Sequence, residues 1–361
     1  MLKLGQKELE NAIVGGVILG GGGGGDPAKG RKHAQVAVQY CDLFLHNIEN
    51  FPDESVVITA SLVGAPKAPE QYATSKDYVR AVELFQNTYD KPGAPIAGII
   101  TNENGGEATV NGWLQSAILG IPLIDAPCNG RAHPTGTMGS MNLHKNPGYI
   151  TMQTAVGGNP QTGRYLECVL RGTVGYTTPL VRQASVEAGG MVVVARNPVS
   201  IAHAKANNAI GGIAHAISVG EAFYSGLAVS SEKAVSAVME RLGGQVLAKG
   251  TVRDIEIRGE GGFDVGFAMV DDMELTLWNE YMTLDKGGER LGTFPDLIMT
   301  FDAKSGQPLP SSVLAQGMEI FITLAPAANL KLSSTMFEAD LIEDCESIVG
   351  KELVRYMRKK N

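Results

Sequence analysis

The sequence predicts a two-domain α/β protein: a mainly parallel sheet domain with helices on both faces, followed by a smaller β-rich domain. Three observations carry that expectation. At 361 residues the chain exceeds what one core commonly serves. Through its first half, β-branched runs alternate with helical patterns, as in parallel strands joined by crossovers. Beyond Gly244 the apolar period changes to two, the mark of short strands with one buried face.

The opening unit reads strand, glycine loop, helix. The run AIVGGVILG (12–20) resembles a signal segment, but Glu8 and Glu10 precede it and no basic region or cleavage motif completes it. It is too short to span a bilayer, and a buried strand is expected there. Six glycines, Gly20 to Gly25, lead into Asp26 and Pro27, favoured at a helix N-cap and first position. Ala37, Tyr40, Cys41, Phe44 and Ile48 continue at helical spacing. A strand follows at 56–59, then a helix with Tyr78, Val82, Phe85 and Tyr89 on one face. A strand at 96–100, the loop NENGGEATVNG, a short helix and a strand at 122–125 come next.

Strand-like YITMQTAV, ECVL and MVVVA occupy the stretch to Arg196, and helices are expected at 199–207, 213–224 and 231–242, the last ended by Gly243. Pairs such as Ile255/Ile257 and Leu275/Leu277 then alternate to about 327. A closing helix, 336–359, carries Ile342, Cys345, Val349, Leu353 and Tyr356 as its stripe. Arg358, Lys359 and Lys360 sit at its end, matching the macrodipole. The expected division is 1–172 and 173–361, with the β-rich part at 245–333 and the last helix packing back on the α/β part.

Composition narrows the partners. A net charge of −8 leaves no electrostatic footprint for nucleic acid or an anionic membrane. The four cysteines, Cys41, Cys128, Cys168 and Cys345, show no paired spacing, which fits reduced thiols in a cytoplasmic protein. Modest charge makes a homodimer plausible. The 45 glycines are clustered rather than periodic, marking close approach of backbone to backbone or ligand.

Two segments carry the candidate chemistry. Bare backbone at Gly22, Gly23 and Gly24, with Asp26 opening a helix, can aim N–H groups at an anion or a polarised carbonyl. No acidic residue follows for a ribose and no Gly-Lys-Ser/Thr is present, so neither nucleotide fingerprint is complete. The second segment, 101–136, places Asn102, Glu103, Asn104, Glu107 and Asn111 after one strand and Asp125, Cys128, Asn129, Arg131 and His133 after the next. In an open α/β sheet such loops share the ligand-binding edge. Arg131 is a candidate to hold a carboxylate or imide oxygen. Glu107 or Asp125 would act as base or orienter, and Cys128 as nucleophile if Arg131 or His133 stabilises its thiolate. A divalent metal such as zinc would have to be assembled from Asp125, Cys128, His133 and His215, for no paired ligand motif exists.

The string ILGGGGGGDP, the pattern around NGWLQSAILGIPLIDA with GRAHP, the later AGGMVVVARNPVS and AIGGIAHAISVGEAF, and the closing FPDLIMTFDAKSGQPL resemble the S-methyl thiohydantoin desulfurase family in order and spacing. The resemblance implies an N-terminal α/β domain, a swivelling β domain, and replacement of a thioether sulfur by water at an amidine-like carbon of a hydantoin-type ring. It also implies a hydantoinase- or oxoprolinase-type partner protein. Gly20 to Gly25 and Asp26 match the family's glycine loop. Asp125, Gly130, Arg131, Ala132 and Pro134 match its aspartate and Gly-Arg-Ala stretch, and Glu107 and Asn111 fall near its acidic glycine segment. The chain departs from the pattern at Pro127, where an aspartate is usual, at His133, usually aromatic, and at Thr135, usually an acid.

The leading expectation is therefore a hydrolase acting on a small cyclic imide or amidine. A non-catalytic ligand-binding partner of a hydantoinase-type enzyme and a nucleotide-dependent enzyme using the glycine loop are the alternatives.

Overall fold

The structure, a computed structural model, describes residues 1–64, 68–90, 95–260 and 263–357. Eight strands build the first sheet: β1 (Leu2–Leu4), β2 (Leu43–His46), β3 (Val56–Gly64), β4 (Ile96–Thr101), β5 (Leu123–Ile124), β6 (Thr151–Gly157), β7 (Leu166–Gly172) and β8 (Met191–Ser200). Their order is β1-β2-β5-β4-β3-β8-β6-β7. Parallel pairing is confined to β2 with β5, β5 with β4 and β4 with β3. The remaining neighbours run antiparallel. The sheet is thus mixed, where the sequence suggested a mainly parallel one. The alternation of strands and helices does not encode direction: β6 and β7 form an adjacent antiparallel pair, and β8 returns reversed between β3 and β6. β8 also lies beyond residue 173, yet it sits inside the first sheet.

The helices are α1 (Gln6–Gly20), α2 (Pro27–Tyr40), α3 (Ser75–Thr88), α4 (Trp113–Leu119), α5 (Val174–Glu187), α6 (Ile201–Asn207), α7 (Gly212–Leu227) and α8 (Ser231–Leu242). The expected opening strand is α1. Every residue from Asn11 to Gly20 is buried, so no polar stripe betrays the helical period, and an unbroken apolar run reads alike in a buried strand and a buried helix. Its glycines serve helix packing: a Cβ on Gly15 would fall 1.9 Å from the carbonyl oxygen of Ala216 on α7. At α2 the start is as expected, with Asp26 accepting from the Ala28 amide at 2.8 Å, but the helix ends at Tyr40 and Phe44 lies in β2, so the helical spacing read to Ile48 does not continue.

The second sheet holds β9 (Gln245–Glu260), β10 (Phe263–Val270), β11 (Met273–Trp278), β12 (Glu280–Lys286), β13 (Glu289–Thr293), β14 (Leu297–Asp302), β15 (Pro308–Leu309) and β16 (Glu319–Ala325). It is antiparallel throughout, in the order β13-β12-β11-β10-β9-β16-β14-β15. The expected final helix is broken into α9 (Ala339–Val349) and α10 (Val354–Met357), because Gly350 turns left-handed at φ +67° and ends α9. Leu341, Ile342, Cys345 and Leu353 pack with Val265, Trp278 and Phe294. This segment therefore covers the β domain rather than the α/β part. Arg358, Lys359 and Lys360 lie outside the described residues. No described helix is long and apolar enough to cross a membrane.

The two domains meet at the glycine loop. Tyr281 donates its amide to the Gly21 carbonyl at 2.8 Å, and Ser311 donates its amide to Gly22 at 2.9 Å.

Candidate active site

A cleft of about 100 Å³ lies where the domains meet, bordered by Gly24 and Gly25, the carboxyl ends of β3 and β4, His133, α5, β8 and the start of β12. Ends of parallel strands open there because loops splay apart on either side. The Asn102 amide donates to the Ala60 carbonyl at 3.1 Å, which fixes the chain as it leaves β4 and presents Glu103 to the cleft.

Glu103 and Glu280 are the two carboxyl groups lining this space. Oε2 of Glu103 accepts from the His133 amide (3.3 Å) and from Asn102 Nδ2 (3.3 Å), and lies 3.1 Å from His133 Nε2. Burial pushes its pKa up to about 8 despite those hydrogen bonds and the nearby Arg196. Glu280 comes from the other domain. Burial first, and Glu103 second, hold its carboxyl well above the usual carboxylate range. One acid from each domain thus lines the same cleft, and burial holds both above the usual carboxylate range.

Cations balance them. Arg196, 2% exposed, donates to Asn102 Oδ1 at 2.7 Å, while its Nε has no hydrogen-bond partner among the described residues. Arg182 donates to the Gly64 carbonyl at 3.2 Å and stacks on Phe263. His133 is held neutral, its pKa lowered to about 3 by burial and by Arg196.

Of the residues singled out by sequence, Gly24, Asn111 and His133 line the cleft, with Gly25, Pro134 and Thr135 of the matched motifs beside them; the other candidates have different tasks. Asp125 accepts the Ile213 and Ala214 amides at 2.7 and 3.2 Å, capping α7. Cys128 is fully buried against Thr59 Oγ1 at 3.2 Å, and burial raises its thiol to about 11, so it is a core residue rather than a nucleophile. Arg131 does not reach the cleft: its Nη1 donates to the Pro295 and Asp296 carbonyls at 3.0 and 2.5 Å, joining the domains. Glu107 is buried beneath the glycine loop, where it accepts from Tyr78 Oη; burial lifts its pKa to about 7.

Asn104 is spent on the Gly130 and Gly212 carbonyls. Gly22 packs on Tyr281, Gly23 makes room for Glu280, and the Asp26 side chain caps α2. The loop joins two helices, so it lacks the strand–loop–helix geometry of a nucleotide cradle. Among the described residues no three His, Cys, Asp or Glu side chains are grouped to hold a metal. Asp125, Cys128 and His133 are each engaged elsewhere, so the proposed zinc ligands do not assemble.

Sequence reasoning passed over Glu103 as one polar residue among many and missed Glu280, Arg182 and Arg196 altogether. Arg196 did carry a signal: it is the lone charge in β8, directly after the apolar run Met191 to Ala195, and a charge there needs a buried partner.

Fold and site together define a two-domain protein whose cleft takes paired acids from both domains. Models of the S-Me-THD-like N-terminal and C-terminal domains match residues 7–166 and 175–338, and the chain belongs to that family. None of the curated proteins matches it. The crystal structure of a protein from Chromobacterium violaceum is similar in fold, with a TM-score of 0.73 at 18% identity over 95% of each chain.

Proposed function

We propose that the cleft hydrolyses a small hydantoin-type ring carrying a thioether at an amidine-like carbon, releasing a thiol. The observation that carries this reading is the placement of Glu103 from one domain and Glu280 from the other on one buried cleft, where burial raises both carboxyls. Ionised Glu103 takes a proton from water as its oxygen bonds to the amidine carbon. The C=N electrons move to nitrogen, which takes the proton of Glu280. The resulting hydroxyl proton then returns to Glu280 as the carbonyl forms, the C–S bond breaks, and the thiolate takes the proton held by Glu103. Both acids end as they began. Arg182 and Arg196 steady the charge that develops, their guanidinium groups lying in the cleft wall.

The test is thiol release from an S-methyl thiohydantoin. Glu103→Gln and Glu280→Gln should each lower kcat by about 10² to 10⁴ while the protein stays folded. Full activity in either variant, or no thiol from the wild type, would overturn the reading. Retained binding without turnover would favour a ligand-binding subunit instead.

A further inference from the structure

We infer that Asn111 is a specificity residue that receives a ring carbonyl oxygen of the substrate, and that Gln115 sets its orientation from behind. The inference rests on the cleft being a substrate site and adds the polarity of one of its walls.

An asparagine side chain offers an acceptor at one end and two donors at the other, and its orientation follows from its partners. Here the chain of partners is closed at its far end. The Gly112 amide has only a donor to offer, and it donates to Gln115 Oε1 at 3.0 Å. The Gln115 amide group must therefore point the other way, and its Nε2 donates to Asn111 Oδ1 at 2.8 Å. That fixes the Asn111 amide in turn. Its Nδ2 is left with no partner among the described residues, on a residue 3% exposed that lines the cleft.

A buried amide donor without an acceptor is costly. Its natural complement is an oxygen that accepts: a carbonyl of the bound ring. A ring presenting N–H at that position would meet a donor and be rejected. Discrimination of this kind is strong because the mismatch leaves both groups unpaired.

Hydantoin itself serves as the probe, with affinity read by calorimetry. Asn111→Asp keeps the shape and the bond from Gln115 but puts an acceptor in the cleft. Gln115→Glu would accept from Gly112 and turn Asn111 around, exposing Oδ1 with no change in the cleft wall. Each should weaken hydantoin about tenfold or more. In ¹⁵N-labelled wild type the Asn111 side-chain resonance should move on titration; in Gln115→Glu it should persist but no longer move, an effect that lost packing would not give. Should a variant fail to fold, the wild-type titration decides alone, and a resonance that stays put would overturn the inference. Unchanged affinity in both variants, with thiol release intact, would overturn it while leaving the hydrolytic reading in place. No binding of hydantoin by the wild type would overturn the inference, whereas no thiol release from the S-methyl thiohydantoin would overturn the hydrolytic reading.

Discussion

A Cβ built on Gly23 would fall 1.9 Å from Oε1 of Glu280. The glycine loop of one domain is thus shaped around the acid of the other. The same construction at Gly24 meets the Gly105 Cα at 2.3 Å, and Gly24 stands at φ +88°. These two glycines should respond differently to alanine. At Gly23 only a side-chain end must shift, so Gly23→Ala should fold with a loss of about 1 kcal/mol but displace Glu280, with kcat falling about tenfold or more. At Gly24 backbone meets backbone in a left-handed turn, and Gly24→Ala should lose several times that stability. Melting curves beside thiol-release rates would show whether the two effects separate.

The buried acids and histidines set opposite pH limits. Glu103 and Glu107 rise from 4.5 to about 8 and about 7, and Asp125 from 3.8 to about 6. The native state then holds protons that the unfolded chain has already released, so stability falls as pH rises from about 4 to about 8. His33, His133 and His215 fall from 6.5 to about 4, 3 and 4. There the unfolded chain binds protons first, and stability falls as pH drops below 6.5. The melting temperature should therefore peak near about pH 5 to 6. Glu103→Gln should flatten the alkaline side, since it removes one of the groups that must ionise. Activity runs the other way, with kcat/KM rising towards pH 8 as Glu103 becomes a base; a flat profile there would remove Glu103 from that role.

Asp125 offers a control for these effects. Its two oxygens cap the first turn of α7, away from the cleft. Asp125→Ala should cost about 1 to 2 kcal/mol, the usual loss for an N-cap, and leave kcat unchanged. A fall in kcat beyond about tenfold, measured well below the melting temperature, would return Asp125 to the chemistry.

These assignments show what could be read from residue order and what could not. Short periodic elements were legible: the helix after Asp26–Pro27, α8 with its Gly243 stop, and the alternating strands of the β domain. Helix α1 was not, because total burial erases the stripe on which a helical reading depends. The site was half legible. Polar residues clustered after β4 did border a cleft, but polarity does not say which side faces it. Asn104 and Glu107 turn inward to carbonyls and to Tyr78, while Glu103 and Asn111 face the cavity. Glu280 was invisible because its partner glycine lies 257 residues earlier in the chain, and only the docking of the domains brings them together.

Cys128 tests the same distinction from the other side. Its sulfur is buried among core residues including Val57, Ile100 and Ile124, and burial outweighs the Thr59 hydroxyl and the Arg196 charge, so the thiol stays protonated. Native protein should resist alkylation at this position, as mass spectrometry of iodoacetamide-treated protein would show. Cys128→Ala should keep thiol release within about twofold while losing roughly 1 kcal/mol for the small void. An inactive but folded Cys128→Ala would restore the nucleophile.

Arg131 binds the two domains where the sequence suggested it would bind a ligand. Its guanidinium is fully buried over the Phe294 ring, 4.5 Å from the centroid, and it lends positive charge to Glu280. Arg131→Met keeps most of the packing volume but strands the Pro295 and Asp296 carbonyls and removes that charge. Breaking a buried charge contact by deleting one partner costs about 3 to 5 kcal/mol. Because the loss falls on the contact between domains, calorimetry should show one unfolding transition in the wild type and two in the variant. Glu280, deprived of its cation, would hold its proton still more firmly, so the acid step of the proposed reaction should survive in whatever fraction stays assembled. A variant that melts as one unit at the wild-type temperature would show that the domains are held by something else.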